Sequence, residues 1–387
     1  MVKIPDMFES FMSREPAVNP HYGKVGQEGL LWAFANFKRG GLSEQEAKDL
    51  RRMDFAYFGA IAAPDTDPVR FRVVVDWLNW VFCFDDQLDD GPLGHQEREG
   101  RLYVNKFMSV LENPNTKESL EPMQWILRDI WNRIQEDPYC TKGAKSRWLK
   151  QMKVYLQACS DSIVFRPSPT LEETLSRYLD YRRPSIAAYV LNAFVEYASG
   201  LQIPDEVFEN TSIQALERIA CELVAIVNDC ISYHREKDQN CPHNMVHLFR
   251  HHGMSEQEAY DKCQVMLREK YREWYLAMAS LPTWGEEVDK QVHRYIQGVQ
   301  DVDFANAYWS FRSGRYYGKH AGQVRATRVL PGAHLDWVPG ITLLAEEKAG
   351  VQLDLEIAGK VKGHAIKRAR RRERMASRGR RHGRLTC

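Results

Sequence analysis

Helical period runs through almost all of residues 1–325, and nothing in that span signals a strand. Apolar positions recur at three- and four-residue intervals around 27–39, 69–90, 119–136, 143–165, 212–237 and 284–313. Three boxes, Ser43-Glu-Gln-Glu46, Thr170-Leu-Glu-Glu173 and Ser255-Glu-Gln-Glu258, each open an amphipathic run. In such a box the hydroxyl accepts from the backbone N–H three residues on, and the glutamate returns the bond. Alternating β-branched stretches joined by Asn-Gly or Asp-Gly turns are missing, and no fixed-period repeat argues for a solenoid. The expectation is one all-α domain over 1–325, a bundle of roughly ten or more helices.

The chain of 387 residues is 44% hydrophobic, enough to bury a large core. Its longest apolar stretch, Ile186 to Ala198, is interrupted by Asn192 and Glu196, and the N-terminus has no apolar signal core, so no transmembrane segment or export is expected. The eight cysteines are dispersed without a C-x-x-C pair, which points to reduced thiols in a cytoplasmic protein.

The net charge of +1 is unevenly spread. From Thr327 onward there are 14 Lys and Arg against 6 Asp and Glu, and before it 39 against 46. Pro331-Gly332 and Pro339-Gly340 break the helical pattern, and from Lys360 onward 12 basic residues face the single acid Glu373. Residues 326–387 are therefore expected to form a basic C-terminal extension, disordered or a single helix, outside the helical body. Such a tail binds polyanions nonspecifically, which leaves a helical polyanion-binding protein as the non-enzyme alternative. The acidic body lacks a basic stripe or nucleic-acid module, so no specific nucleic-acid partner is expected.

Two polar stretches carry the chemistry. Asp67-Pro68 supplies an N-cap and an N1 proline for a helix from Val69 to about Asp90, whose apolar run Trp77–Phe84 ends in Asp85-Asp86-Gln87-Leu88-Asp89-Asp90 before Gly91-Pro92. Asp85 and Asp89 lie one turn apart on one face with Asp86 beside them. Three like charges that close suit a shared cation, and carboxylate oxygens suit Mg²⁺; a solvated acidic helix end is the competing reading. The second stretch, Asn228-Asp229-Cys230-Ile231-Ser232-Tyr233-His234-Arg235-Glu236, ends a helix that opens near Ser212, with Asp238–Pro242 as breaker. Asn228, Ser232 and Glu236 fall at i, i+4 and i+8 on one face, an oxygen-only set suited to Mg²⁺ and poor for zinc.

Together these motifs resemble the class I terpene synthases, and most closely the fungal-type sesquiterpene cyclases, over about residues 20–320, with Arg235 in place of the more usual Lys. Tyr181-Arg182-Arg183-Pro184-Ser185-Ile186-Ala187 resembles the family's diphosphate-sensing arginine on a proline-broken helix, with Ser185 and Ala187 where Thr and Gly are familiar. Asn306-Ala-Tyr308-Trp309-Ser-Phe-Arg312-Ser-Gly-Arg315-Tyr316 resembles its Arg-Tyr diphosphate clamp. The family pattern ends near Gly318–Val324.

The resemblance implies ionisation of a prenyl diphosphate, farnesyl diphosphate by the fungal-type pattern, and cyclisation of the carbocation, by a carbon–oxygen lyase acting as monomer or homodimer. It implies three Mg²⁺ held by Asp85, Asp86 and Asp89 from one helix and by Asn228, Ser232 and Glu236 from the other. Arg182, Arg235, Arg315 and Tyr316 would bind the diphosphate. Phe58, Trp77, Trp80, Phe82, Tyr308 and Trp309 are candidates for the apolar lining, with Phe82 and Trp309 the first choices. Geranyl or geranylgeranyl diphosphate are alternative substrates. A chain-elongating prenyltransferase is disfavoured, because that class would be expected to repeat an aspartate-rich motif where this chain has Asn228–Glu236.

Overall fold

The structure, a computed structural model, describes residues 1–89, 93, 96–114, 119–237, 243–331 and 337–341. Among the described residues the regular structure is helical, apart from a single antiparallel bridge between Lys3 and Val329. The chain begins α1 (Tyr22–Phe37), α2 (Glu44–Met53), α3 (Phe55–Ala62), α4 (Pro68–Asp89) and α5 (Glu97–Glu112). It continues through α6 (Pro122–Glu136), α7 (Lys142–Ser162), α8 (Leu171–Ser185), α9 (Ala188–Ser199) and α10 (Asp205–Phe208). The last helices are α11 (Thr211–Glu236), α12 (Met245–His251), α13 (Glu256–Ala279), α14 (Glu286–Ser310) and α15 (Ala321–Thr327).

The local signals act where the sequence puts them. Ser43 and Ser255 each form the full reciprocal capping box at the starts of α2 and α13. Thr170 caps α8 through the Glu173 N–H. Asp67 Oδ1 accepts from the N–H groups of Val69 (2.9 Å) and Arg70 (3.2 Å) at the start of α4. Gly91-Pro92 and the breaker Asp238–Pro242 lie outside the described residues.

Helix α4 is the central element. It packs against α1, α3, α6 and α9, and its long apolar run is buried almost all round. On the other side α11 packs against α13, α14, α8 and α12. The contact of α14 with α9 is close because Gly298 has no side chain; a Cβ there would stand 2.2 Å from Val195 Cγ1. A cavity is left between the C-terminal halves of α4 and α11, closed at the sides by α8, α9 and α14.

Met1–Leu343 forms one compact unit, and the second unit, Leu344–Cys387, lies outside the described residues. Residues 326–331 and 337–341, expected to belong to the extension, pack on the helical body. Ile4 N–H donates to Arg328 C=O and Leu330 N–H to Val2 C=O, while Val338 N–H donates to Gly314 C=O. Leu330, Val338 and Ile341 are buried.

Candidate active site

The cavity, with the open solvent at its mouth included, holds about 1080 Å³ of atom-free space. Its depth is apolar, lined by Phe58, Trp77, Leu78, Val81, Phe82, Leu191 and Val224. Its rim is polar, carrying Asp85 and Asp89 from α4, Asn228, Arg235 and Glu236 from α11, Arg182 from α8, and Arg315 and Tyr316 from the turn after α14.

On the α4 side, Asp85 accepts a very short hydrogen bond from the Tyr155 hydroxyl of α7. Burial, with the charge of Asp89 one turn on, pushes its pKa well above the usual carboxylate range. Asp89 is exposed at the mouth. Asp86, expected beside them as a metal ligand, turns away from the cavity. One residue along a helix is about 100° round the axis, and there Asp86 is fully buried, accepting from Arg315 at 2.6 and 3.2 Å and from the Ile341 N–H at 2.8 Å. Both its oxygens are committed to that pair, so its geometry is that of an internal brace.

On the α11 side, Asn228 Oδ1 accepts from Arg182 (2.8 Å) and its amide donates to the Tyr316 hydroxyl (3.3 Å). Glu236 accepts from Asn244 at 3.0 Å, and Ser232 Oγ from the same amide at 3.2 Å. Burial, opposed by Arg235 and Asn244, raises the pKa of Glu236. Ser232 is buried behind the rim and is the member of its set that does not line the cavity. Between the two acidic stretches stand Arg182, Arg235 and Arg315. Arg235 is buried with its guanidinium 3.9 Å from Glu236, and the Arg315 guanidinium lies 5.4 Å from the Phe82 ring centroid.

Arg182 occupies the last turn of α8, as expected, but the break that follows is not at Pro184. The helix runs through Pro184 to its end at Ser185, and the break falls at Ala187, whose φ of 63° is left-handed. Ser185, Ile186 and Ala187 line the cavity.

The aromatic candidates divide. Phe58, Trp77 and Phe82 line the cavity. Trp309 does not: its indole N–H donates to Met53 C=O at 2.7 Å, and its ring backs Phe82 with centroids 4.9 Å apart. A ring whose N–H needs a partner when buried is drawn to that carbonyl and so into a second layer. Trp80 is held the same way by Met123 C=O, and Tyr308 donates to Arg14 C=O on the outside of α14.

Sequence reasoning missed the residues that hold the rim in place. Asp229 accepts from Arg182 at 2.7 Å, from the Met245 N–H at 3.0 Å and, by a very short bond, from the Tyr178 hydroxyl. Tyr181 pairs with His243 Nδ1 at 2.9 Å, and both line the cavity. Asn244 had one legible signal, a capping residue before an apolar pair; Tyr155 and Tyr178 had none.

Among the described residues no three His, Cys, Asp or Glu side chains group to hold a metal by themselves. Beside the carboxylates of Asp85, Asp89 and Glu236, the amide oxygen of Asn228 and the hydroxyl of Ser232 are further oxygen donors here. That donor set is all oxygen, the preference of a hard divalent cation, and the residues present fit one.

The model of terpene synthase family 2, C-terminal metal binding, matches residues 76–273. The chain is 35% identical to the silphinene synthase peniA of Penicillium patulum over 84% of this chain and 88% of that one. It is 33% identical to a (+)-eremophilene synthase of Gibberella fujikuroi over 87% and 94%. The crystal structure of germacradien-4-ol synthase from Streptomyces citricolor superposes with a TM-score of 0.65, at 18% identity, over 77% of this chain and 96% of that one, which shows the shared fold. The chain therefore belongs to terpene synthase family 2 and is a lyase, an all-α class I terpene cyclase of the fungal type that uses a divalent metal.

Proposed function

We propose that this enzyme ionises farnesyl diphosphate with Mg²⁺, cyclises the resulting carbocation to a sesquiterpene and releases diphosphate. The observation that carries the reading is the meeting of two oxygen-rich helix ends, with three arginines between them, over an apolar, aromatic-lined cavity. Asp85 and Asp89 from α4, and Asn228, Ser232 and Glu236 from α11, would hold the metal, taken as three Mg²⁺. When bound, the metal neutralises the negative charge that develops on the departing diphosphate.

The chain's own groups do the rest. Arg182 and Arg235 pair with diphosphate oxygens through planar, bidentate forks. Arg315, braced by Asp86, and the Tyr316 hydroxyl close the same shell. The allylic C–O bond breaks and its electron pair leaves with the diphosphate, so positive charge is left in the prenyl chain below the rim. Phe58, Trp77 and Phe82 keep water from that cation, and aromatic faces stabilise a desolvated cation by about 2 kcal/mol each. A proton passes from a carbon beside the final cation to the released diphosphate, and the C–H electron pair forms the product alkene. The six cysteines that the described residues hold as free thiols fit a cytosolic setting, and the enzyme is taken to act as monomer or homodimer.

Asn228→Ala removes one rim oxygen and leaves α11 otherwise intact. Diphosphate release from farnesyl diphosphate is expected to fall at least about a hundredfold, with the helical circular-dichroism signal unchanged. Wild-type release by this variant and by Glu236→Gln together would sink the ligand assignment.

A further inference from the structure

Asn244 lies beyond both recognised motifs, yet its buried side chain reaches three groups of α11. The amide nitrogen stands 2.8 Å from the Asp229 carbonyl, 3.2 Å from Ser232 Oγ and 3.0 Å from Glu236 Oε2. Its orientation is fixed by its other end: Oδ1 accepts from the N–H groups of Val246 (2.9 Å) and His247 (3.3 Å) as the N-cap of α12. A flipped amide would set its nitrogen against those two donors, so the nitrogen must face α11. Met245 N–H adds a second tie, to Asp229 Oδ2 at 3.0 Å.

We infer that Asn244 is a positioning residue for metal binding, one side chain that sets the rotamers of both Ser232 and Glu236. This rests on the proposal that those two residues are metal ligands. A serine hydroxyl rotates freely and a glutamate has three side-chain torsions, so two such ligands a turn apart reach a metal together only when something holds them. Donors behind metal ligands that orient them typically change metal affinity or activity by about 10–100-fold when removed. The amide leaves the remaining lone pairs of Ser232 Oγ and Glu236 available to an ion.

The test separates this role from the capping of α12. Asn244→Ser retains a good N-cap, but its shorter side chain cannot cap α12 and also bridge Ser232 and Glu236. It should melt close to wild type without metal, yet bind Mg²⁺ in the presence of inorganic diphosphate about 10–100-fold more weakly by titration calorimetry. Turnover should need correspondingly more Mg²⁺ and recover toward wild type when Mg²⁺ is raised. Asn244→Ala should lose both melting temperature and Mg²⁺ affinity. Should Asn244→Ser not fold, Asn244→Thr, which also caps, takes its place. Wild-type Mg²⁺ affinity in the folded variant, alongside weakened binding by Glu236→Gln, would overturn the positioning role and leave the ligand proposal standing. Wild-type affinity in Glu236→Gln as well would overturn both.

Discussion

Asp303 is buried on α14, and among the described residues its carboxyl oxygens have no hydrogen-bond partner. Burial alone pushes its pKa well above the usual carboxylate range. The unfolded chain loses that proton near pH 3.9, whereas the folded chain keeps it. Stability is therefore greatest below the unfolded pKa and falls as pH rises from there to the folded pKa, by up to about 1.4 kcal/mol per pH unit. Asn cannot titrate, so Asp303→Asn should melt progressively higher than wild type as pH rises above the ordinary carboxylate range toward the raised folded value. Melting curves followed by circular dichroism decide it, and an offset that does not change with pH would contradict the assignment. Asp86 shows how far residue-level reading reaches. The aspartate cluster is plain in the sequence, but which member faces outward depends on Arg315, 229 residues away. Similarly, Tyr155 meets Asp85 across 70 residues. Neither partner leaves a local trace, because their pairing is made by packing of helices distant in sequence.

At the scale of elements, caps and periods are local properties, and they placed α2, α4, α7, α11, α13 and α14 in the sequence. Helix α3, with 8 residues, and α12, with 7, are too short for a period to stand out. The end of α8 was legible as a break but not in its mechanism. Pro184 sits in the last turn, where it removes one i→i−4 hydrogen bond without stopping the helix at once, and the helical path breaks only at Ala187. An L-residue in the left-handed region costs about 1–2 kcal/mol, and replacing it by glycine returns some of that as backbone entropy in the unfolded state. Ala187→Gly should therefore stabilise the protein by about 0.5–1 kcal/mol net. Urea unfolding reads this directly; a loss of stability would mean that the Ala187 methyl packs better than its backbone is strained.

Across the whole molecule, the body and the start of the expected extension act together. The Ile341 N–H completes the shell around Asp86, and Gln87 donates to the Ile341 carbonyl at 2.8 Å, so residues 337–341 brace the end of the aspartate-bearing helix. Composition marked a change near 326 because charge and proline content shift there; it could not show that Leu330, Val338 and Ile341 are buried. Each fully buried apolar side chain of that size contributes about 1.5–3 kcal/mol. A chain ended after Leu343 should keep wild-type turnover and melting temperature. One ended after Ala326 should melt roughly 5 °C lower or more and turn over more slowly, because Asp86 loses a donor. Equal behaviour of the two truncations would show that the brace is idle.

The central claim is chemical, and product analysis tests it most directly. Purified full-length protein would be incubated with Mg²⁺ and, separately, geranyl, farnesyl or geranylgeranyl diphosphate, and the extracts resolved by gas chromatography–mass spectrometry. The account predicts a cyclic fifteen-carbon hydrocarbon from farnesyl diphosphate, abolished by chelator. A cyclic product from only the shorter or the longer substrate would contradict the assigned chain length. A longer linear diphosphate, formed only when isopentenyl diphosphate is added, would contradict cyclisation itself.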